Sequence, residues 1–310
     1  MLAGFDIKRW ALVALALVFL TATSHVARKP GEPLANTLFG AQKTASQQPP
    51  QVFGSYAKGC LAGAVQLPQT GPTWQAMRLS RNRNWGHPSL IAFLERLSLK
   101  STELGWKGLY IGDMSQPRGG PMTSSHQSHQ VGLDADIWML QPKRLNLSRA
   151  ARENISSVSV RSRDKKRLTK YWTPKHMALL KAAAKDPAVE RIFVTAAAKI
   201  DMCKKAGNDR KWLAKIRPLY GHNYHFHVRL RCPKGDRRCK KQTPVRAISK
   251  GDGCDKTLTW WVTDYLAKPK PSGKKIKKKV KIRPKPKPRR AREMIMADLP
   301  RQCVGVLKSQ

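Results

Sequence analysis

Gly221-His222-Asn-Tyr-His225-Phe-His227-Val-Arg229-Leu-Arg231 is the stretch whose reading decides the architecture of this chain. From His225 onward apolar and polar residues alternate. Phe226, Val228 and Leu230 fall on one face, and His225, His227, Arg229 and Arg231 on the other. A period of two predicts a strand, because successive side chains in a strand point to opposite sides of the sheet. The two histidines of the His-x-His pair then share a face, with Cα atoms about 6.6 Å apart. Residues 132–140 have the same periodicity, with Leu133, Ala135 and Ile137 on one face and Asp134 and Asp136 on the other. That second strand follows directly on Ser-His126-Gln-Ser-His129-Gln-Val-Gly.

Five of the eight histidines therefore lie in two clusters, each next to a predicted strand. A catalytic zinc takes three protein ligands, imidazole nitrogens and carboxylate oxygens among them, and keeps one position open. The spacing from His129 to Asp136 lets a loop and the following strand present both groups to one point. The His-x-His strand can complete the set from beside it. A lone His-x-His is most often an ordinary strand pair; the combination with the second cluster is what points to a metal. The chemistry such a site performs is attack of metal-activated water on a polarised carbonyl. The residues alone leave three choices open: His225 or His227, His126 or His129, Asp134 or Asp136 as ligand. Asp134 also reads as an orienting partner of a ligand histidine or as a solvated strand carboxylate.

The rest of the chain reads as one domain with attachments. Lys8 and Arg9 precede the apolar run 10–20 and then Thr21-Ala-Thr-Ser24, a secretory-signal pattern over residues 1–27. The run is short against the roughly 20 apolar residues of a membrane span. Residues 28–52, rich in Pro, Gln, Thr and Ala, read as a linker, and the globular domain as 53–266. Within it, residues 89–98 have helical apolar spacing, 109–112 and 191–195 read as strands, and 117–121 as a Gly/Pro loop. Residues 150–170 read as a basic surface excursion. Thr173-Pro174 opens a helix running to about residue 185, and a second helix over 196–206 stops at Gly207. Residues 258–266 fit a short helix or strand.

Sixty Lys and Arg against 19 Asp and Glu give a net charge of +41, which calls for an anionic partner. Fourteen of these cations lie in residues 268–292, with no acid among them. The Lys/Pro-rich segment 267–293 cannot bury a core and reads as disordered, with 294–310 a C-terminal segment beyond it. Stacking on single strands needs aromatic residues, and 268–290 has none. With export added, nucleic acid is not the expected partner, and an anionic envelope polymer is. Six cysteines, an even number, also agree with export and three disulfides. No Cys-x-x-Cys pair offers a zinc-finger alternative.

Both histidine stretches, together with Gly59-Cys60, Arg83-Asn-Trp-Gly-His87-Pro, Ile111-Gly-Asp113-Met, Arg191-Ile-Phe-Val and Gly251-Asp-Gly-Cys254, resemble the penicillin-insensitive murein endopeptidases. That family belongs to the zinc peptidases that include lysostaphin-type and D-Ala-D-Ala peptidases. The resemblance covers about residues 53–265 and Cys303. It implies an α+β fold, with a small antiparallel sheet carrying the metal site, flanked by helices and long loops and stabilised by disulfides. It implies a periplasmic zinc metallo-endopeptidase that hydrolyses peptide cross-links of peptidoglycan, chiefly D-alanyl–meso-diaminopimelate bonds. On the family pattern His129, Asp136 and His227 hold the zinc, with His126 a further ligand in some states. His225 acts as general base or stabilises the oxyanion, assisted by His222. The implied disulfides are Cys60–Cys303, Cys203–Cys254 and Cys232–Cys239, the first tying 294–310 back to the domain. Relatives form a homodimer bridged by a second zinc in a Ser-Arg-Asp-x-x-His stretch. Here that stretch ends in Arg167, which cannot ligate a metal. The competing reading is an exported basic protein that binds nucleic acid or wall without catalysis; the complete ligand set argues against it.

Overall fold

The computed structural model describes residues 29–124, 126–244, 251–266 and 289–309. The signal segment and most of the Lys/Pro block, 267–288, lie outside them. The strands are β1 (Gln51–Ser55), β2 (Lys58–Ala62), β3 (Val65–Gln66), β4 (Thr70–Gly71), β5 (Trp74–Ala76), β6 (Trp85–Gly86), β7 (Leu109–Ile111), β8 (Asp134–Trp138), β9 (Val189–Val194), β10 (Ile216–Pro218) and β11 (His225–Leu230). Seven of them form one mixed sheet in the order β10-β9-β11-β8-β7-β5-β4, while β1 pairs with β2 and β3 with β6. The strands read from the two histidine stretches are neighbours at its centre. They run antiparallel, with Arg229 opposite Asp134, His227 opposite Asp136 and His225 opposite Trp138. Parallel pairs occur only further out, β9 with β10 and β5 with β7. The fold is α+β, as the sequence led us to expect.

Helix α1 spans Ala35–Gly40, α2 Pro88–Glu103, α3 Arg149–Asn154, α4 Pro174–Lys185, α5 Ala196–Lys205, α6 Thr257–Trp260 and α7 Gln302–Lys308. Proline opens α2, and the His87 ring accepts from the Ser89 N–H. Its apolar stripe of Leu90, Ile91, Leu94 and Leu97 is buried in the main core with the sheet residues Ile111, Ile137, Ile192 and Phe226. The helix outruns the predicted 89–98. Ser98 and Ser101 look like a polar end, but both are fully buried and return their hydroxyls to the carbonyls of Glu95 and Ser98. Helix α4 matches its reading, and α5 gives way at Gly207, which has φ +59°. In α5, Lys199 is fully buried and donates to the carbonyls of Leu213 and Asp252, both at 2.7 Å. Burial pushes its pKa down to about 7.

Three stretches differ from their sequence reading. The described part of the linker, from residue 29, contains α1, and Ala35 and Phe39 are fully buried against the C-terminal residues Met294, Leu299 and Cys303. The Ala35 N–H donates to Met294 O at 2.8 Å. The supposed surface excursion contains α3. Its Arg152 is buried and donates to Gln69 O (2.7 Å) and Thr70 Oγ1 (2.6 Å) beside β4. Residues 289–293, the end of the Lys/Pro block, are ordered: Ala291–Glu293 forms a 3₁₀ turn, and Arg289 pairs with Asp298 at 2.7 Å. The disulfides join Cys60 to Cys303, Cys203 to Cys254 and Cys232 to Cys239. Among the described residues no helix is long and apolar enough to cross a membrane.

Candidate metal centre

Strand register builds the centre. Because His227 sits opposite Asp136 and Arg229 opposite Asp134, two acids of one strand meet a histidine and an arginine of the next on the same face. His227 reaches both carboxylates: Nε2 lies 2.8 Å from Asp134 Oδ1 and Nδ1 3.1 Å from Asp136 Oδ1. His129 enters from the preceding loop, its Nε2 3.4 Å from the same Asp136 oxygen. Its backbone is left-handed at φ +68°, a conformation that costs a non-glycine residue of order 1–3 kcal/mol. The Asp134 carboxylate opposes that strain by accepting from the His129 N–H at 3.0 Å.

His126, His129 and Asp136 offer one ligand atom each within 4.8 Å of one another. The side chains of His129, His227 and Asp136 are only 1%, 5% and 6% exposed and form the floor. His126 and His225, at 25% and 23%, form the rim. His225 Nε2 stands 3.5 Å from Asp136 Oδ1, and the His222 ring lies 5.1 Å from that of His225 and 5.7 Å from that of His227. All six residues singled out from the sequence therefore converge on one place.

Electrostatics sort these groups. Burial opposes ionisation of Asp134, but Arg229 (2.6 Å) and His227 outweigh it and hold the carboxyl well below its usual range. Asp136 is likewise held low despite burial, by His225 and His129. Burial also disfavours the charged form of His227, yet Asp134 raises its pKa overall. In His225 burial wins and lowers the pKa. In His222 burial and the neighbouring His227 and His225 push it down to about 3. In both rings the shift favours the neutral form over the charged one.

The residues fit a metal by a direct criterion. Both ring nitrogens of His129 and the Oδ1 of Asp136 are buried without a hydrogen-bond partner, close though their neighbours are. An unsatisfied buried polar atom is costly, and a cation between one ring nitrogen of His129 and the Asp136 oxygen would satisfy both, with Nε2 already 3.4 Å from that oxygen. The centre opens into a cleft of about 400 Å³, lined in part by Arg78, Trp138, Ser156 and Tyr224. A larger cavity of about 690 Å³, lined in part by Tyr56, Glu190 and Arg231, contains none of these histidines, so donor chemistry rather than size marks the site.

Reading the sequence did not give Asp113 a role. It is buried just past β7 and accepts from Arg83 (2.8 Å) and Arg81 (3.1 Å), and its Oδ2 lies 3.1 Å from His126 Nε2. Two signals pointed toward it, its position directly after a predicted strand and its place in the Ile111-Gly-Asp113-Met stretch that carries the resemblance. Asp164 accepts from Ser162 Oγ (2.5 Å), Arg167 Nε (3.1 Å) and the Lys166 N–H (3.0 Å).

Fold and site together define an α+β protein with a buried His/carboxylate centre able to hold a metal ion at the base of a cleft. A sequence model of the penicillin-insensitive murein endopeptidase family matches residues 52–308, and the chain belongs to that family. It is similar to the penicillin-insensitive murein endopeptidase of Haemophilus influenzae, with 44% identity over 71% of this chain and 74% of that protein. The proteins of the same name from Yersinia enterocolitica (38% identity, 85% and 91% covered) and Klebsiella pneumoniae (37%, 84% and 89%) are also similar.

Proposed function

We propose that this chain is a zinc-dependent murein endopeptidase that hydrolyses D-alanyl–meso-diaminopimelate cross-links of peptidoglycan in the periplasm. The observation that carries the reading is the set of buried, unpartnered donor atoms on His129 and Asp136, facing His227 at the base of the cleft. His129, Asp136 and His227 would hold the zinc, with His126 able to join them. Bound there, zinc supplies Lewis acidity toward the scissile carbonyl and lowers the pKa of the attacking water. His225, at the rim, would take a proton from the attacking water and deliver it to the leaving amine nitrogen, which closes the proton balance of the hydrolysis. His222 assists by keeping a second neutral imidazole beside His225. Asp134 fixes His227 through Nε2 and so aims Nδ1 at the centre.

The test is metal analysis of purified protein together with mass spectrometry of isolated cross-linked muropeptides before and after incubation. About one zinc per chain, loss of turnover on chelation and products cut between D-alanine and meso-diaminopimelate are expected. Active protein without bound zinc would refute the mechanism, and cleavage elsewhere would refute the bond assignment.

A further inference from the structure

We infer that Arg78 binds the substrate carboxylate carried by the carbon next to the scissile amide nitrogen. The inference deepens the function proposed above and rests on it. The 3₁₀ turn Leu79–Arg81 is flanked by two left-handed, non-glycine residues, Arg78 at φ +58° and Asn82 at φ +50°. Such backbone is costly and tends to be kept where it aims a functional side chain. Here Arg78 and Arg81 both line the cleft that also exposes His126, Asp136 and His225.

The two arginines differ in their commitments. Arg81 is ion-paired with Asp113. Among the described residues Arg78 makes no ion pair. Its guanidinium lies 5.7 Å from the centre of the Trp138 ring and 3.5 Å from Ser156 Oγ. Glu153, the acid that feels Arg78, is held by the Ser80 N–H (2.7 Å) and hydroxyl (2.9 Å). Trp138 is the strand partner of His225, so the ring beneath Arg78 lies directly across the strand pair from the proposed base. A cation–π contact at this distance holds the guanidinium over the ring, and a guanidinium can offer two parallel N–H bonds to a carboxylate.

The substrate chemistry supplies such a group on one side only. In a D-alanyl–meso-diaminopimelate cross-link the alanyl side offers a methyl group and no charge. The carbon bearing the amide nitrogen also carries a carboxyl group. A cation beside the centre is therefore complementary to the amine side of the bond.

The experiment uses two soluble cross-linked muropeptide dimers that differ only in whether that carboxyl group is free or amidated. Steady-state kinetics are measured for the wild-type protein, Arg78→Gln and Arg78→Lys, with melting temperature and zinc content as controls. The wild-type protein should favour the free carboxylate by on the order of 10- to 100-fold in kcat/KM, chiefly through KM. Arg78→Gln should lose that preference by losing activity on the carboxylate dimer alone, and Arg78→Lys should fall between. Equal wild-type rates on the two dimers would overturn the inference whether or not the variants fold, as would an intact preference in Arg78→Gln. Wild-type protein that cleaves neither dimer would overturn the bond assignment itself, and this inference with it.

Discussion

Asp134 shows how one side chain can organise a site without facing substrate. Fully buried, it accepts from the His129 backbone and from Arg229 and binds His227 Nε2. Replacing it with alanine leaves Arg229 without its buried counter-charge. Asp134→Ala should therefore lose about 3–5 kcal/mol of stability, read from urea unfolding. Its zinc affinity should fall about 10- to 100-fold in chelator competition, because His227 loses the partner that sets its tautomer. His225 gives the contrasting case. It sits at the rim, its pKa lowered by burial, and His225→Ala should cut turnover at least about 100-fold while zinc stays bound. A His225→Ala protein that stays active but loses metal would make this residue a ligand instead.

Helix α1 is the element whose importance is least apparent from its length. Six residues do not form a stable helix alone, so its order comes from packing. The Phe39 ring lies against Gly120, where an added Cβ would come within 2.2 Å of it, in the loop that leads on to His126 and His129. Arg118 in the same loop donates to the carbonyls of Val306 and Leu307 in α7, which Cys303 ties to Cys60 in β2. Residues before β1 and the C-terminal helix α7 thus both brace the loop that carries two candidate ligands. Phe39→Ala should destabilise the protein by about 3–5 kcal/mol, as for an aromatic removed from a core; a true linker residue would show almost no change. Thermal unfolding of the variant decides between these outcomes.

At the scale of the whole molecule, charge is the dominant property. Of the 14 cations in residues 268–292, Arg289, Arg290 and Arg292 belong to the described C-terminal segment, which leaves 11 in 268–288. Here the Ala291 N–H donates to Gln127 Oε1 in the histidine loop, so a deletion should stop at residue 288. Removing 268–288 should leave turnover of a small soluble muropeptide nearly unchanged. Sedimentation with purified sacculi should weaken, and the difference from the full chain should shrink as salt rises, since salt screens attraction between a polycation and a polyanion. Equal sacculus binding by both forms at low salt would reduce the segment to a spacer.

What could be read along the chain was periodicity. Alternation over 225–231 and 132–140 marked both site strands, and Thr173-Pro174 marked a helix start, because these signals join residues a few positions apart. The histidine clusters and the Asp134/Asp136 pair were legible for the same reason, attached to those strands, whereas the choice among them as ligands came only from the family resemblance. Partnership across the chain was not. Asp134 and His227 are 93 residues apart, and only the register of β8 against β11 makes the first a clamp on the second. The role of Asp113, the burial of Phe39 under a C-terminal segment and the lack of an ion pair for Arg78 among the described residues likewise depend on residues distant in sequence. Side-chain alternation is a local property of the backbone, whereas burial, ion pairing and hydrogen-bond satisfaction belong to surfaces that meet only once the chain has folded.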